Sequence, residues 1–209
     1  MIRLHYMRLV LAMGLLLLPG AHLDAAAPTG GEPPPMHKSL RGHFLIASAS
    51  MGDPRFDRTV ILMIRHDAKG AFGLVVNRVV GRKTISALLE TMGEKIDAPN
   101  SVPVYYGGPV QPERGYIIHS AEYRRPETTQ IDAGMAMTST KNVLADIARD
   151  KGPEKFLFAF GYAGWGAGQL EGELARNGWF IAPATPHLVF DEDRDKLWDA
   201  AMARRIRDH

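Results

Sequence analysis

Apolar residues along this chain fall into short runs of strand length, separated by turn formers and by segments of helical periodicity. His43 to Ala47 (HFLIA) is the first run, and the loop Ser48 to Asp57, with turn formers Gly52, Asp53 and Pro54, separates it from Thr59 to Ile64. The turn His66 to Gly70 leads at once into Phe72 to Val76, so the second and third strands are predicted to pair as an antiparallel hairpin. Val79 to Lys83 leads out of the sheet, and Thr84 caps a helix from Ile85 to Met92 that Gly93 ends. Val102 to Tyr106 is a further strand whose Pro103 marks an edge or a strand start. Gly107, Gly108 and Pro109 then force a sharp turn before the strand Tyr116 to His119.

In the second half, Met135 to Met137 is a short strand, and Ser139 or Thr140 caps a helix running to Asp150 with Val143, Leu144, Ile147 and Ala148 on one face. Gly152 and Pro153 close that helix. Phe156 to Phe160 shows no polar alternation, which predicts a strand buried on both faces. Four clustered glycines follow, read as a loop, then a helix over 169–176, a strand Trp179 to Ala182 and a terminal helix Asp193 to Ile206 with Leu197, Trp198, Ala201 and Met202 inward. Interleaved strands and helices place the chain in the α/β class, as a single compact domain with a mixed sheet flanked by helices.

The front of the chain carries a different pattern. Arg3 and Arg8 precede the apolar run Leu9 to Leu18, Pro19 and Gly20 break it, and Ala25 to Ala27 offer a cleavage site, so residues 1–27 read as a signal peptide. The run is too short for a permanent span, which leaves no stable membrane segment after its removal. A start at Met1 therefore predicts a periplasmic or otherwise exported protein. Residues 28–42 have the Pro/Gly-rich composition of a linker, and Met36 lies just before the first strand, so a start there predicts a cytosolic protein. Either start leaves 43–209 as the folded domain.

With 25 basic and 23 acidic side chains the formal charge is only +2, too balanced for the broad basic field of non-specific nucleic-acid binding. The chain has no helix-turn-helix pattern, and Arg204, Arg205 and Arg207 form one short cluster, so direct nucleic-acid binding is not expected. The absence of cysteine excludes disulfides, thiolate catalysis and zinc-thiolate sites.

Candidate chemistry centres on the glycines. Gly161, Gly164, Trp165, Gly166 and Gly168, with Gly107 and Gly108 of the Tyr105 to Pro109 turn, are the candidate ligand-binding residues, because a glycine loop entering a helix can cradle an anion. Against this, the glycines spell neither the dinucleotide fingerprint nor a P-loop, and Glu171 and Glu173 in the first helical turns repel phosphate. The competing reading is architectural: the glycines supply special backbone angles and let Trp165 pack closely. His43, His66, His119 and His187 lack metal-ligand spacing; His66 beside Asp67 reads as turn chemistry and His119 as a satisfied polar group at a strand end. No serine stands in a nucleophile elbow, and Ser48, Ser50 and Asp53 read as local loop bonds. Glu171 and Glu173, two apart on a helix, point to different sides and read as helix-start residues. The sequence thus supplies no catalytic set, metal site or cofactor motif.

Four stretches nevertheless carry a family resemblance: FLIASASMGDPRFDRTV (Phe44 to Val60), GAFGLVVN (Gly70 to Asn77), YYGGPV (Tyr105 to Val110) and GYAGWGAGQLEGELARNGW (Gly161 to Trp179). In that order they resemble the YqgE/AlgH family, from about His43 to the end of the chain. The resemblance implies an α/β fold with a strongly curved mixed sheet. The family is largely uncharacterised and is associated by name with transcriptional regulation of alginate synthesis. Members often carry a cysteine in the second strand where this chain has Ile64, so no thiol role carries over. Members usually begin a few residues before the first strand, as MHKSLRGHFLIA would. The implied function is a non-enzymatic regulatory or interaction module acting through a protein partner, with any effect on transcription indirect. The alternative is a small-ligand-binding protein or enzyme using the glycine-rich loop 161–168.

Overall fold

The computed structural model describes residues 38–49, 52–139 and 141–206. The signal-peptide-like segment 1–27, most of the linker, Met36 and Thr140 lie outside the described residues. Residues 39–42, expected as linker, are already tied to the sheet: the Ser39 hydroxyl donates to the His66 carbonyl (2.9 Å), the Leu40 amide to His66 Nδ1 (3.1 Å) and the Gly42 amide to the Met63 carbonyl (2.9 Å).

The strands are β1 (His43–Ala47), β2 (Val60–Asp67), β3 (Gly70–Val75), β4 (Val79–Thr84), β5 (Ser101–Tyr106), β6 (Val110–Ser120), β7 (Thr129–Gln130), β8 (Met135–Thr138), β9 (Phe156–Gly166) and β10 (Trp179–Pro183). The helices are α1 (Ile85–Glu90), α2 (Lys141–Ile147), α3 (Gln169–Ala175) and α4 (Leu197–Ala203). The strands join in the order β10-β1-β2-β3-β9-β6-β8-β7, with β5 also on β9 and β4 on β5. Only the β5–β9 pairing is parallel, so the sheet is mixed, and it curls into a half-barrel.

Side chains of period two explain why the strands lack polar alternation. Phe44, Ile46, Val60, Leu62 and Ile64 face one core, shared with Leu188, Val189, Leu197 and Ala201 from the C-terminal segment. Leu45, Ala47, Ile61 and Met63 face the other, under Trp165, Leu170 and Trp179. A third cluster packs Leu88 and Leu89 of α1 and Val143 and Leu144 of α2 over Val104, Ile117 and Phe158. Each face of the sheet is therefore covered.

The predicted hairpin is β2–β3, and Thr84 caps α1 by accepting from the Ala87 amide at 3.1 Å. Pro103 stands in β5 before the β9 pairing starts at Val104, on an edge as its sequence suggests. Three expectations change. Val79 to Lys83 does not leave the sheet but pairs with β5 as β4. The strand expected over Tyr116 to His119 begins at Val110. The terminal helix starts only at Leu197, because the Asp193 side chain and carbonyl capture the Asp195 and Lys196 amides (3.1 and 3.0 Å) in a turn.

β9 is the spine. Along Phe158–Phe160 it has β5 on one edge and β6 on the other, whereas Ala163–Gly166 pairs with β3. The chain from β5 to β6 must therefore cross β9 between these stretches. Gly107 and Gly108 make that crossing: a Cβ on Gly107 would lie 2.3 Å from the Gly161 carbonyl oxygen, and one on Gly108 only 2.1 Å from the Tyr162 carbonyl carbon. Main chain packs on main chain here, which no side chain permits. The crossing is tied at 2.7 Å from the Gly107 amide to the Phe160 carbonyl and at 2.8 Å from the Val75 amide to the Gly107 carbonyl.

His119 of β6 is fully buried and satisfied, as the sequence predicts. The Arg125 amide donates to the Thr128 hydroxyl (2.9 Å), which stands 2.8 Å from the Thr138 hydroxyl, itself 2.9 Å from His119 Nε2. With Nδ1 at 3.0 Å from the Ser120 carbonyl, Nδ1 carries the proton and Nε2 accepts, so the ring is neutral. Burial pulls its pKa below the ordinary 6.5, outweighing the Ser120 carbonyl and the charge of Glu122.

Two outcomes follow from this architecture. Gly108→Ala, which drives a methyl into main chain at a φ of +151°, costs about 2–3 kcal/mol in urea unfolding; a loss below about 0.5 kcal/mol means that the crossing relaxes freely. For His119, the unfolded chain binds its proton first, so its stabilising contribution is complete above pH 6.5 and declines as pH falls below that value. Unfolding free energies measured from about pH 7 to about pH 5 decline in the native chain and decline less in His119→Gln.

Candidate functional site

The glycines singled out from the sequence do not form a loop. Gly161, Gly164, Trp165 and Gly166 belong to β9, with Gly164 opposite Phe72 and Gly166 opposite Gly70. Gly168 caps α3 at a φ of +74°, and that helix is only 7 residues long. The reason is the edge that β3 offers: its ladder extends β9 over Ala163–Gly166, and the Gly166 amide is bonded to Gln169 Oε1 at 3.1 Å, so these residues form a paired strand rather than an open anion cradle. Gly107 and Gly108 meet Gly161 and Tyr162 at the crossing. Peptide groups, however, fill the space between them.

The two glutamates of α3 have tertiary partners. Glu173 Oε2 accepts from both indole nitrogens, Trp165 at 2.9 Å and Trp179 at 2.8 Å, and so ties β9, α3 and β10 together. Glu171 Oε1 stands 2.8 Å from His66 Nε2. Because His66 Nδ1 accepts the Leu40 amide, Nε2 is the donor. His66 is thus a buried strand residue linking the chain start to α3, not a turn former, since β2 runs on to Asp67 before turning.

The site that the structure assembles lies on the other side of the crossing. A cleft of about 580 Å³ is lined by Arg55, Asn77, Arg78, Tyr106 and Arg194, with Val79 and Val80 on its lip. Arg55 comes from the 3₁₀ turn Pro54–Phe56, whose N-cap Asp53 accepts its amide at 2.9 Å. The same carboxylate binds its guanidinium at 2.6 Å, and this pairing holds Asp53 below the usual carboxylate range. Arg78, just before β4, donates to the Arg55 and Asp57 carbonyls (2.5 and 2.6 Å). Asn77 fixes the same corner, accepting the Val60 amide and donating to the Arg58 carbonyl at 2.9 Å each.

Arg194 is the most embedded of the three. Its guanidinium donates to the carbonyls of Val76 (3.2 Å), Val189 (2.9 Å), Leu188 (3.3 Å) and Glu192, and forms no ion pair with a described residue. Burial pulls its pKa below the usual arginine range, yet a guanidinium remains charged at neutral pH. Burial likewise pushes the neighbouring Tyr105 hydroxyl upward, with the Arg194 charge opposing. Arg78, too, is bonded only to main-chain carbonyls among the described residues. The cleft therefore presents two guanidinium groups, Arg78 and Arg194, that form no ion pair with a described residue, while the charges of Glu192, Asp193 and Asp191 act on Arg194 from nearby and Asp195 lines the cleft.

These arginines escape sequence reasoning because each is solitary in the chain. A usable signal did exist: Arg55, Asn77 and Tyr106 sit inside the stretches that carry the family resemblance. Among the described residues, no group of His, Asp and Glu side chains is arranged to hold a metal ion, and no helix is long and apolar enough to cross a membrane.

Comparison with known proteins agrees with this architecture. A family model described as AlgH-like (DUF179) matches residues 44–208. A UPF0301 protein of Jannaschia sp. (strain CCS1) is 45% identical over 172 residues, covering 81% of this chain and 90% of the relative. One from Paraburkholderia phymatum is 44% identical over 168 residues, covering 79% and 87%. The solution structure of the AlgH protein from Pseudomonas aeruginosa superposes with a TM-score of 0.71 at 38% identity, covering 87% of this chain and 92% of that one. The crystal structure of DIP2367 from Corynebacterium diphtheriae, at 23% identity and a TM-score of 0.65, shares the fold. With its spine strand, its glycine crossing and a match over nearly the whole described domain, this chain belongs to the AlgH-like, UPF0301 family, whose function is uncharacterised.

Proposed function

We propose that this protein is a non-catalytic interaction module whose arginine cleft binds an extended acidic segment of a partner protein, so that any effect on transcription passes through that partner. The observation that carries this reading is the gathering of guanidinium groups at one cleft: Arg78 and Arg194 are hydrogen-bonded to carbonyls and to no carboxylate among the described residues, and Arg55 stands beside them. Asp195 is the one acidic residue lining the cleft. Charge complementarity therefore selects carboxylates. Val79 and Val80, 47% and 64% exposed, add an apolar lip that suits a side chain beside those carboxylates. β4 has a strand neighbour on one edge only, which favours an extended occupant along the other.

The test uses a fluorescein-labelled peptide of alternating glutamate and leucine, with a lysine–leucine peptide as control, read by anisotropy. The acidic peptide binds, its affinity falls as salt rises, and Arg55→Ala and Val80→Asp each weaken it by about fivefold or more. Equal binding of both peptides, or affinity unchanged in both variants, overturns the reading. Tighter binding of a single-stranded oligonucleotide at the same cleft would reassign it to nucleic acid and overturn it as well.

A further inference from the structure

We propose that a second cavity, on the far side of the glycine crossing, is a binding site for a small single-ring aromatic carboxylate. The cavity, about 310 Å³, has a floor of Ile64, Phe72, Tyr116 and Tyr162, and Arg65 and Arg114 stand at its mouth. It is independent of the arginine cleft and shares no lining residue with it.

The floor is aromatic and ordered by mutual contact. Phe72 lies 4.8 Å from Tyr162 and 5.4 Å from Tyr116, ring centre to ring centre, and the two tyrosines are 6.0 Å apart at 77°. Such offset and edge contacts hold the rings in place without a ligand, so the floor is preorganised. Tyr116 is 4% exposed as a residue, but its hydroxyl is open to the cavity, and no hydrogen bond joins it or the Tyr162 hydroxyl to a described residue. A hydroxyl so placed is free to donate to an occupant of the cavity. Burial pushes the Tyr116 hydroxyl above its usual range, with Arg114 opposing, so it is a proton donor at neutral pH.

The mouth supplies the charge. Between Val110 and Gly115 the β6–β9 register shifts, and residues 111–114 leave the ladder as an excursion over the cavity. Gln111 stands in the left-handed region at a φ of +48°, and Arg114 Cζ sits 5.6 Å from the centre of the Tyr116 ring. Arg65 is 63% exposed and only loosely paired, its Nε 3.7 Å from Asp67. Guanidinium groups donate and never accept, and no acidic side chain lines the cavity. The complement is therefore an anionic acceptor. A planar carboxylate matches the guanidinium fork, and an attached ring matches the floor. The volume, at the lower end of small-molecule sites, limits the occupant to about one ring.

The probe is benzoate, with cyclohexanecarboxylate, acetate and inorganic phosphate as comparators, titrated into the full chain and followed by amide chemical shifts. Benzoate produces saturable shifts at residues bordering the cavity, and acetate and phosphate bind at least about fivefold more weakly. Tyr116→Phe keeps the ring and removes the hydroxyl; it and Arg114→Ala each weaken benzoate by about fivefold or more while melting temperatures hold. Val80→Asp, in the other cleft, leaves benzoate affinity unchanged, so failure here and failure of the acidic-peptide reading are distinguishable. No saturable shift by about 10 mM benzoate overturns the site. Affinity equal to that of acetate or phosphate overturns its aromatic half, and unchanged affinity in both cavity variants overturns its location.

Discussion

The structure depends on one close contact between two stretches of main chain, Gly107–Gly108 passing against Gly161–Tyr162. The contact is forced by topology. β5 and β6 flank the same part of β9, so the short connection between them must cross that strand rather than go round it. Only residues without Cβ atoms let the peptides approach to this distance, and the hydrogen bonds from Gly107 to Phe160 and from Val75 to Gly107 secure the join. One side of the crossing carries Tyr106 into the arginine cleft, and the other carries Tyr162 into the aromatic cavity. Both candidate sites are thus placed by a feature that binds nothing itself.

Burial of charge is the second organising term. A guanidinium taken out of water is costly unless its donors are met, and Arg194 meets this by bonding the carbonyls of Val76, just after β3, and of Leu188 and Val189 in the C-terminal segment. That arrangement satisfies the donors without a direct ion pair, the carboxylates of Glu192, Asp193 and Asp191 acting on the charge from nearby. The residue therefore serves the fold, by joining the C-terminal segment to the sheet, and presents its guanidinium at the cleft. Glu173 makes the converse use of a carboxylate, satisfying two buried indoles at once. His119 and His66 are held in single tautomers by their neighbours, which marks them as structural links.

Membership of the AlgH-like family leaves the chemistry open, and the molecule itself narrows it. Both concave sites are lined by donors and apolar or aromatic groups, with acidic side chains scarce in one and absent from the other. A surface of that kind recognises anions. The two sites differ in what accompanies the charge: an exposed valine lip and a half-paired strand at the first, a preorganised ring floor at the second. A module that senses a small carboxylate at one site and holds an acidic partner at the other is a coherent reading of both.

How much of this was legible in the sequence differs by level. Strand runs such as His43 to Ala47, the β2–β3 hairpin, the Thr84 cap and the burial of Phe156 to Phe160 on both faces follow from local pattern, because each is decided by neighbours within a few residues. The glycines after Phe160 were visible, but their role was not: a glycine looks the same in a loop and in a strand crossed by another chain, and only the position of β3 and β5 along β9 decides between them. His66 and Glu171 read as turn and helix-start residues until the fold set them 2.8 Å apart. Arg55, Arg78 and Arg194, and likewise Phe72, Tyr116 and Tyr162, are separate residues of ordinary type in the chain. What made each set into a site was long-range strand pairing, which local sequence does not encode. The sequence by itself determined most of the elements and the family; the tertiary structure decided where β4 and the glycine half of β9 pair and which charges and rings share a cavity.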